Sequence, residues 1–542
     1  MSVRVLRSAL AVVAFAIPAG ALCRAAAAQD TGVLGDSPWR WAWTPLRTVG
    51  EVGLPAPGPL RTPHLLDLPA PVVGLAWSAR NPAGMSDDVR ETYAQLSLVN
   101  SGIQGTYRAP LTPRRMSGLL AEYGGWRRLG NRSAVIGRAA VERGEQGEGN
   151  GAVFVLPDPS SPFVPTDTNA PATARTRVTF EGAQGVALGR WRMGISLGYS
   201  GTSDNARGST IAVIRRAAVG GASLGLARTL GEHGRVGVSA RRISRNETAN
   251  VFANPATARL YLLDGFLNVN PQDYSLASTP FLRRADRWGE GIGVDAAGRW
   301  RAIEWSTWVQ RLRTGERQVS AVAANTPVQR WNTTGYDLGI ASQGRFGAVM
   351  LSTVATAVVQ RGASVRTPAT TREFESDASR AALHGDARWS PTGSAWGGAI
   401  TVDAVRQWQR ATDRGARSAT DITAWSPAGS LEVSRRWRRG WTAGAGVAMG
   451  HYTPIAIIPS LTARSASYLA LLAPAFEVAA APARTIGSAI TIRRDGENRM
   501  VVLRAAWSST AATQRAMDAY YLPRGSRGAW TISLSVRPHG AP

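Results

Sequence analysis

The residues best suited to chemistry in this 542-residue chain are its five histidines: His64, His233, His384, His451 and His539. A hydrolase embedded in a membrane needs an imidazole base beside a serine, with an acid or amide to orient it. His233 falls in a short turn and His539 in the C-terminal tail, so neither has such company. His451 closes an alternating run beside Tyr452 and Thr453, where an interfacial position accounts for it. In His384-Gly-Asp386 an imidazole and a carboxylate stand close in sequence, but no nucleophile accompanies them and polar packing towards a lumen explains them. Asp158 and Asp167 have no calcium-loop spacing, and proline-rich turn chemistry explains them better. GEGIGVDAAG matches a dinucleotide-binding pattern only loosely and lacks the strand-turn-helix context that pattern requires. These residues give no catalytic, cofactor or metal site.

The elements around them decide the matter. Arg4 and Arg7 precede an apolar run, Ala9 to Ile17, that is too short for a membrane helix; Pro18, Gly20 and then Ala26-Ala27-Ala28 follow. This is the layout of a cleavable export signal, expected to span residues 1–28. The only cysteine, Cys23, lies inside it, and Leu22 before it is too bulky for lipoprotein processing. The mature chain therefore has no disulfide, thiolate metal site or cysteine nucleophile. The net charge is +25, and every basic side chain other than histidine is arginine. A nucleic-acid binder would concentrate that charge on one face, whereas these arginines run along the whole exported chain. Nucleic acid is accordingly not an expected partner.

Period two dominates beyond residue 91. In WRMGISLGYSG, Trp191, Met193, Ile195, Leu197 and Tyr199 alternate with Arg192, Gly194, Ser196, Gly198 and Ser200. Such a strand puts one face towards lipid and the other towards a polar lumen. The same rhythm appears in Val178 to Leu188, Trp396 to Ala404, Trp441 to Met449 and Trp530 to Val536. A β-sandwich array or propeller also alternates. Here, however, short connections (Leu188–Arg190, Leu230–Gly234, Ala297–Arg299, Gln343–Gly344, Pro391–Ser394, Arg438–Gly440) take turns with long ones (Glu145–Ala174, Thr248–Arg284, Arg313–Pro327, Ala363–Arg372, His451–Pro482). That asymmetry predicts an all-β, antiparallel transmembrane β-barrel over residues 91–542, with about 14–18 strands. Residues 29–90 are read as an N-terminal periplasmic or plug segment. SYLALLAPAFEVAA, between Pro454 and Thr485, is taken as part of a loop, which keeps the strand number even.

Two resemblances follow from particular stretches. NPAGM, Asn81 to Met85, resembles the Asn-Pro-Ala turn near the start of long-chain fatty-acid transporter barrels, where an N-terminal segment plugs the lumen. That turn, together with YGGWRRLGNRSAVIGRAAVERG (Tyr123 to Gly144) and LPDPSSPFVPTDT (Leu156 to Thr168), resembles an uncharacterised family of outer-membrane barrels known as a domain of unknown function. The second resemblance implies an outer-membrane location and no particular ligand.

From these readings Asn81, Pro82, Asp87 and Asp88 are expected to form a plug or latch, with the two acids facing lumen arginines. Arg192, Arg241, Arg504 and Arg537 occupy the polar phase of their strands and are expected to charge the lumen, favouring anions. Pairing with acids such as Glu181, Glu304 or Asp403 would offset part of that charge. The expected function is passage or uptake of anionic or hydrophobic compounds across an outer membrane, with outer-membrane lipids as partners and no cofactor. The alternative is a non-conducting barrel that binds, anchors or assembles through its long loops. A membrane-embedded hydrolase using His451 or His384 is the third reading.

Overall fold

In the computed structural model the described residues are 81–85, 93–106, 114–147, 149–152, 163–170, 172–206, 211–231, 233–253, 260–264, 269–272, 281–320, 326–364, 374–414, 418–437, 440–457, 481–497, 499–513 and 525–538. The expected signal peptide, most of the 29–90 segment, and Asp87 and Asp88 lie outside them, as does SYLALLAPAFEVAA.

Eighteen strands form one antiparallel sheet. They are β1 (Tyr93–Gly105), β2 (Arg115–Leu129), β3 (Ser133–Gln146), β4 (Thr173–Leu188), β5 (Trp191–Ala206) and β6 (Ile211–Leu230). Next come β7 (Gly234–Ala253), β8 (Phe281–Trp300), β9 (Ile303–Ser320), β10 (Thr326–Phe346), β11 (Val349–Ser364) and β12 (Phe374–Trp389). The last six are β13 (Trp396–Asp413), β14 (Ser418–Arg436), β15 (Trp441–Ile457), β16 (Ala483–Asp495), β17 (Arg499–Ala512) and β18 (Ser526–Pro538). Each strand pairs with the next, and β1 closes the barrel by pairing with β18, Leu96 opposite Val536 through Gly105 opposite Arg527. Closure leaves no open edge, so every strand's backbone polar groups find partners within the sheet, as a hydrocarbon surround demands. Among the described residues no helix is long and apolar enough to cross a membrane. Four short strands, Gly149–Ala152, Phe163–Ala170, Leu260–Asp264 and Val269–Gln272, make a separate sheet from two of the long connections.

Burial follows the alternation. On β5 Trp191, Met193, Ile195, Leu197 and Tyr199 are all exposed on the outside, while Ser196 between them is buried. Val236 and Val238 on β7, Ile292 and Val294 on β8, and Ile490 and Ile492 on β16 extend the same apolar outer band. Tryptophans mark its short-turn edge, with arginines stacked on them: Arg228 lies over Trp191 at 5.5 Å, Arg435 over Trp396 at 5.3 Å and Arg494 over Trp441 at 5.3 Å. Indole and guanidinium both suit the boundary between hydrocarbon and headgroups. β1 begins and β18 ends at this same short-turn end, because the strand number is even.

Two short turns lie further along the chain than the hydropathy suggests. The β8–β9 turn is Arg301-Ala302 rather than Ala297–Arg299, and the β10–β11 turn is Gly347-Ala348 rather than Gln343–Gly344. The gap read as Arg313–Pro327 shrinks to the residues between Ser320 and Thr326. In all three places the ladder continues past the lipid band. There Gly298-Arg299, Gly344-Arg345 and Gly315 to Gln318 interrupt the alternation, although the backbone pairing continues.

Candidate functional site

Asn81 to Met85 lies inside the barrel against its wall. Asn81 precedes proline and takes the extended backbone that position favours (φ −128°, ψ 105°), capping a single 3-10 turn, Pro82–Gly84. Its Oδ1 accepts from the Ala83 N–H at 3.0 Å, and its carbonyl accepts from the Gly84 N–H at 2.9 Å. Nδ2 turns the other way and donates to both carboxylate oxygens of Asp295 on β8, at 2.9 and 3.2 Å, and to the Val238 carbonyl on β7 at 3.3 Å. One side chain thus holds its own turn and fastens it to two barrel strands. Asn81, Ala83 and Asp295 are all buried, and Ala83 packs with Ala227 of β6 and Ala297 of β8.

The seat is paved with glycine. A Cβ on Gly194 of β5 would collide with the Pro82 backbone, and one on Gly225 of β6 with Asn81 Oδ1. One on Gly237 of β7 would strike Asn81 Nδ2 and the Asp295 carboxylate. All three glycines occupy the inward phase of their strands, flanked by outward Met193 and Ile195, Leu224 and Leu226, and Val236 and Val238. The close approach of one backbone to another is a role that glycine alone can fill here. The seat lies three residues into β5 and β7 from their short turns, so the turn rests near the short-turn mouth.

Beyond the seat the inner wall carries bonded charge. Arg287 of β8 bridges Glu247 of β7, at 3.2 Å, and Glu316 of β9, while Arg245 also reaches Glu247 at 2.9 Å. All four are buried. Arg138 of β3 joins Glu122 at 2.8 Å and Glu181 at 3.4 Å, and Asp204 of β5 accepts from Arg175 and Arg215, each at 3.1 Å. Buried guanidiniums are tolerable only when fork geometry and additional carboxylates replace water in this way.

Arg192 of β5, Arg241 of β7, Arg504 of β17 and Arg537 of β18 all stand on the inward phase. Arg192 donates from Nε to the Thr229 hydroxyl at 3.2 Å, and Arg241 and Arg504 are buried. They are distributed along the wall rather than gathered at one point, the first pair lying on the seat side of the barrel and the second beside its closing seam. Of the acids considered as partners, Glu181 goes to Arg138 and Asp403 to His384; Glu304 is half-buried near the β8–β9 turn. His384 of β12 meets Asp403 of β13 at 2.6 Å, whereas Asp386 takes Arg388 at 2.7 Å and the Thr401 hydroxyl at 3.2 Å. The sequence-adjacent pair is therefore split between two cross-strand partners. His451 is half-buried on the outward phase of β15, opposite Arg484 and two residues from exposed Met449, a girdle position. Among the described residues no group of three or more His, Cys, Asp or Glu side chains is placed to hold a metal.

Asp295 and the three seat glycines escaped the sequence reading. Asp295 sits within GEGIGVDAAG, which matches a dinucleotide pattern only loosely; an inward acid among small inward residues was the signal to follow.

A family described as being of unknown function (DUF6850) matches residues 82–537. No curated protein matches the chain. Among solved structures it is similar to CdiB from Acinetobacter baumannii, with 11% identity and a TM-score of 0.34, over 82% of this chain and 60% of that one. It therefore spans less than two thirds of the length of CdiB. It is also similar to BauA, the ferric preacinetobactin receptor from Acinetobacter baumannii, with 10% identity and a TM-score of 0.39, over 82% of this chain and 80% of that one. A third is the FrpB iron transporter from Neisseria meningitidis, with 9% identity and a TM-score of 0.38, over 83% and 81% respectively.

Proposed function

We propose that this chain, which belongs to the family of unknown function DUF6850, is an outer-membrane barrel that passes anionic or hydrophobic solutes along a lumen controlled by its N-terminal segment. The observation that carries the reading is the Asn81–Gly84 turn, held on the inner wall by the Asn81–Asp295 hydrogen bonds over a floor of glycines. A structural strut would gain from bulky side chains packed around it. The turn fits closely on its glycine floor, and its polar fastening runs through one side chain, Asn81, to Asp295 and the Val238 carbonyl, which suits a part released when those few hydrogen bonds are exchanged. Inward-facing Arg192, Arg241, Arg504 and Arg537 support a preference for anions in any open path. The outer apolar band and the tryptophan edge support residence in a bilayer, and a closed antiparallel barrel of even strand number is the form such proteins take in outer membranes. In this reading the short-turn end and both barrel termini face the periplasm.

Planar-bilayer recording of the purified protein tests this directly. Full-length protein is expected to be closed or flickering, and deletion of residues 29–90 to give steady conductance with anions preferred. A barrel that stays silent after the deletion would instead favour a surface-binding or anchoring role for the long connections. Conductance with cations preferred would remove the assigned role of the lumen arginines.

A further inference from the structure

We propose that the outer surface of β8, β9 and β10, just beyond the apolar band on the long-connection side, binds the phosphate groups of phosphorylated glycolipids in the surrounding leaflet. The inference rests on the reading of the chain as an outer-membrane barrel. On β8 and β9 the outward residues run from Val294 and Val309 at the lipid band to charged positions within one or two register steps. Arg311, Arg313 and Arg317 of β9 and Arg330 of β10 are all outward and exposed. Arg317 stands directly opposite Arg330 in the ladder. Two like charges in that position repel, and an anion lying between them would turn the repulsion into attraction.

The nearby carboxylates do not neutralise these arginines. Glu290 is opposite Arg313 but also lies 3.7 Å from Arg242, and Asp286 is opposite Arg317 while accepting from Arg284 at 2.8 Å. Each acid thus faces one of the four arginines in the ladder while contacting a different cation. Arg313 is steadied by Trp288, whose ring lies 5.4 Å from the guanidinium and covers Gly315, where a Cβ would collide with it. That leaves a pre-positioned guanidinium beside an interfacial indole at the edge of the hydrocarbon. Guanidinium groups bind phosphate oxygens bidentately, which an ammonium cannot do.

The same level continues round the wall. Thr334 opposes both Arg313 and Arg361, Arg361 opposes Asp377, and Asp377 opposes Arg410. With Arg242 on β7, arginine therefore recurs on every second strand, at intervals of about 10 Å from strand spacing. Such a row meets a line of adjacent headgroups rather than a single soluble anion. Its outward direction, level with the edge of the lipid band, favours a leaflet over a partner approaching from solvent.

Native mass spectrometry of the full-length protein, with a bis-phosphorylated glucosamine glycolipid and its dephosphorylated counterpart as probes, tests the proposal. The phosphorylated form is expected to bind, with the dephosphorylated form roughly ten-fold weaker. The combined variant Arg311→Gln, Arg313→Gln, Arg317→Gln, Arg330→Gln should lose that preference. A matched Arg228→Gln, Arg494→Gln variant at the short-turn edge should keep it. The combined variant Arg311→Lys, Arg313→Lys, Arg317→Lys, Arg330→Lys should fall between them, and the heat-dependent gel shift of a folded barrel should be retained in all. Equal binding of both glycolipids, an unchanged preference in the glutamine variant, or equal protection from thermal unfolding by inorganic phosphate alone would overturn the proposal. Failure of the parent reading looks different: the protein would then leave the outer-membrane fraction on sucrose gradients, whatever it binds in detergent.

Discussion

At the scale of single residues, Asn81 shows how an amide does what a carboxylate cannot. Its oxygen caps a turn and its nitrogen faces a carboxylate, so the two ends of one side chain need opposite polarity. Asn81→Asp would set two carboxylates against each other and is expected to weaken docking by about 1–3 kcal/mol, seen as faster amide exchange at Ala83 and Gly84. Adding Asp295→Asn to that variant should restore protection, because a donor then faces the new acid. No restoration would mean that the pair does not fasten the turn. Arg287 makes a second residue-scale case. Replacing it by Met leaves Glu247 and Glu316 buried around an apolar side chain, and is expected to destabilise the barrel by about 3–5 kcal/mol in urea unfolding from micelles. Replacing Arg242, whose partner Glu290 is exposed, should cost less than about 1 kcal/mol.

At the scale of elements, two-residue turns and outward stripes carry the argument. The β4–β5 and β10–β11 turns begin with Gly189 and Gly347, at φ 64° and 60°, but the β8–β9 turn begins with Arg301 at φ 56°. That backbone is costly for a side chain, and Arg301 is also stacked 5.1 Å from the Trp300 ring. Arg301→Gly is expected to change stability by less than about 1 kcal/mol, since relief of the backbone offsets the lost stacking. Gly347→Val, where nothing offsets the strain, should destabilise clearly in the same assay. On β8, Ile292→Arg would place a charge in the outer band and is expected to cost up to about 2–4 kcal/mol, depending on its depth. The neighbouring inward change Gly293→Ala should act differently. A Cβ there meets Gln310, so the penalty would be steric and independent of the lipid.

At the scale of the whole molecule, the barrel separates three environments. The outer band meets hydrocarbon, the inner wall holds bonded charge, and exposed arginines border the band at both ends, with Arg311, Arg313, Arg317 and Arg330 on the long-connection side. Arg192→Gln combined with Arg241→Gln is expected to lower the anion preference of the 29–90 deletion form, read as a shift of reversal potential in a salt gradient. The Ile292→Arg variant, judged by the same recording, should leave the reversal potential unchanged. A shift from the outward variant, or none from the inward pair, would contradict the assignment of lumen charge.

Sequence alone determined the class of fold and the face on which most side chains stand. A strand's side-chain period is two whatever its neighbours, and lipid outside with polar groups inside writes that period into residue types, as in Trp191 to Tyr199. The inward phase of Arg192, Arg241, Arg504 and Arg537 follows from the same period, whereas the strand number was bounded only at about 14–18. Tertiary structure decided what lay across strands. That Asn81 meets Asp295, that three glycines from three strands make one floor, that His384 turns to Asp403 and not Asp386, and that Arg317 faces Arg330 all depend on ladder register. Register between consecutive strands is set by the length and geometry of the connection and, at the β18–β1 seam, by closure, so the residue types along one strand do not by themselves say which residues stand opposite.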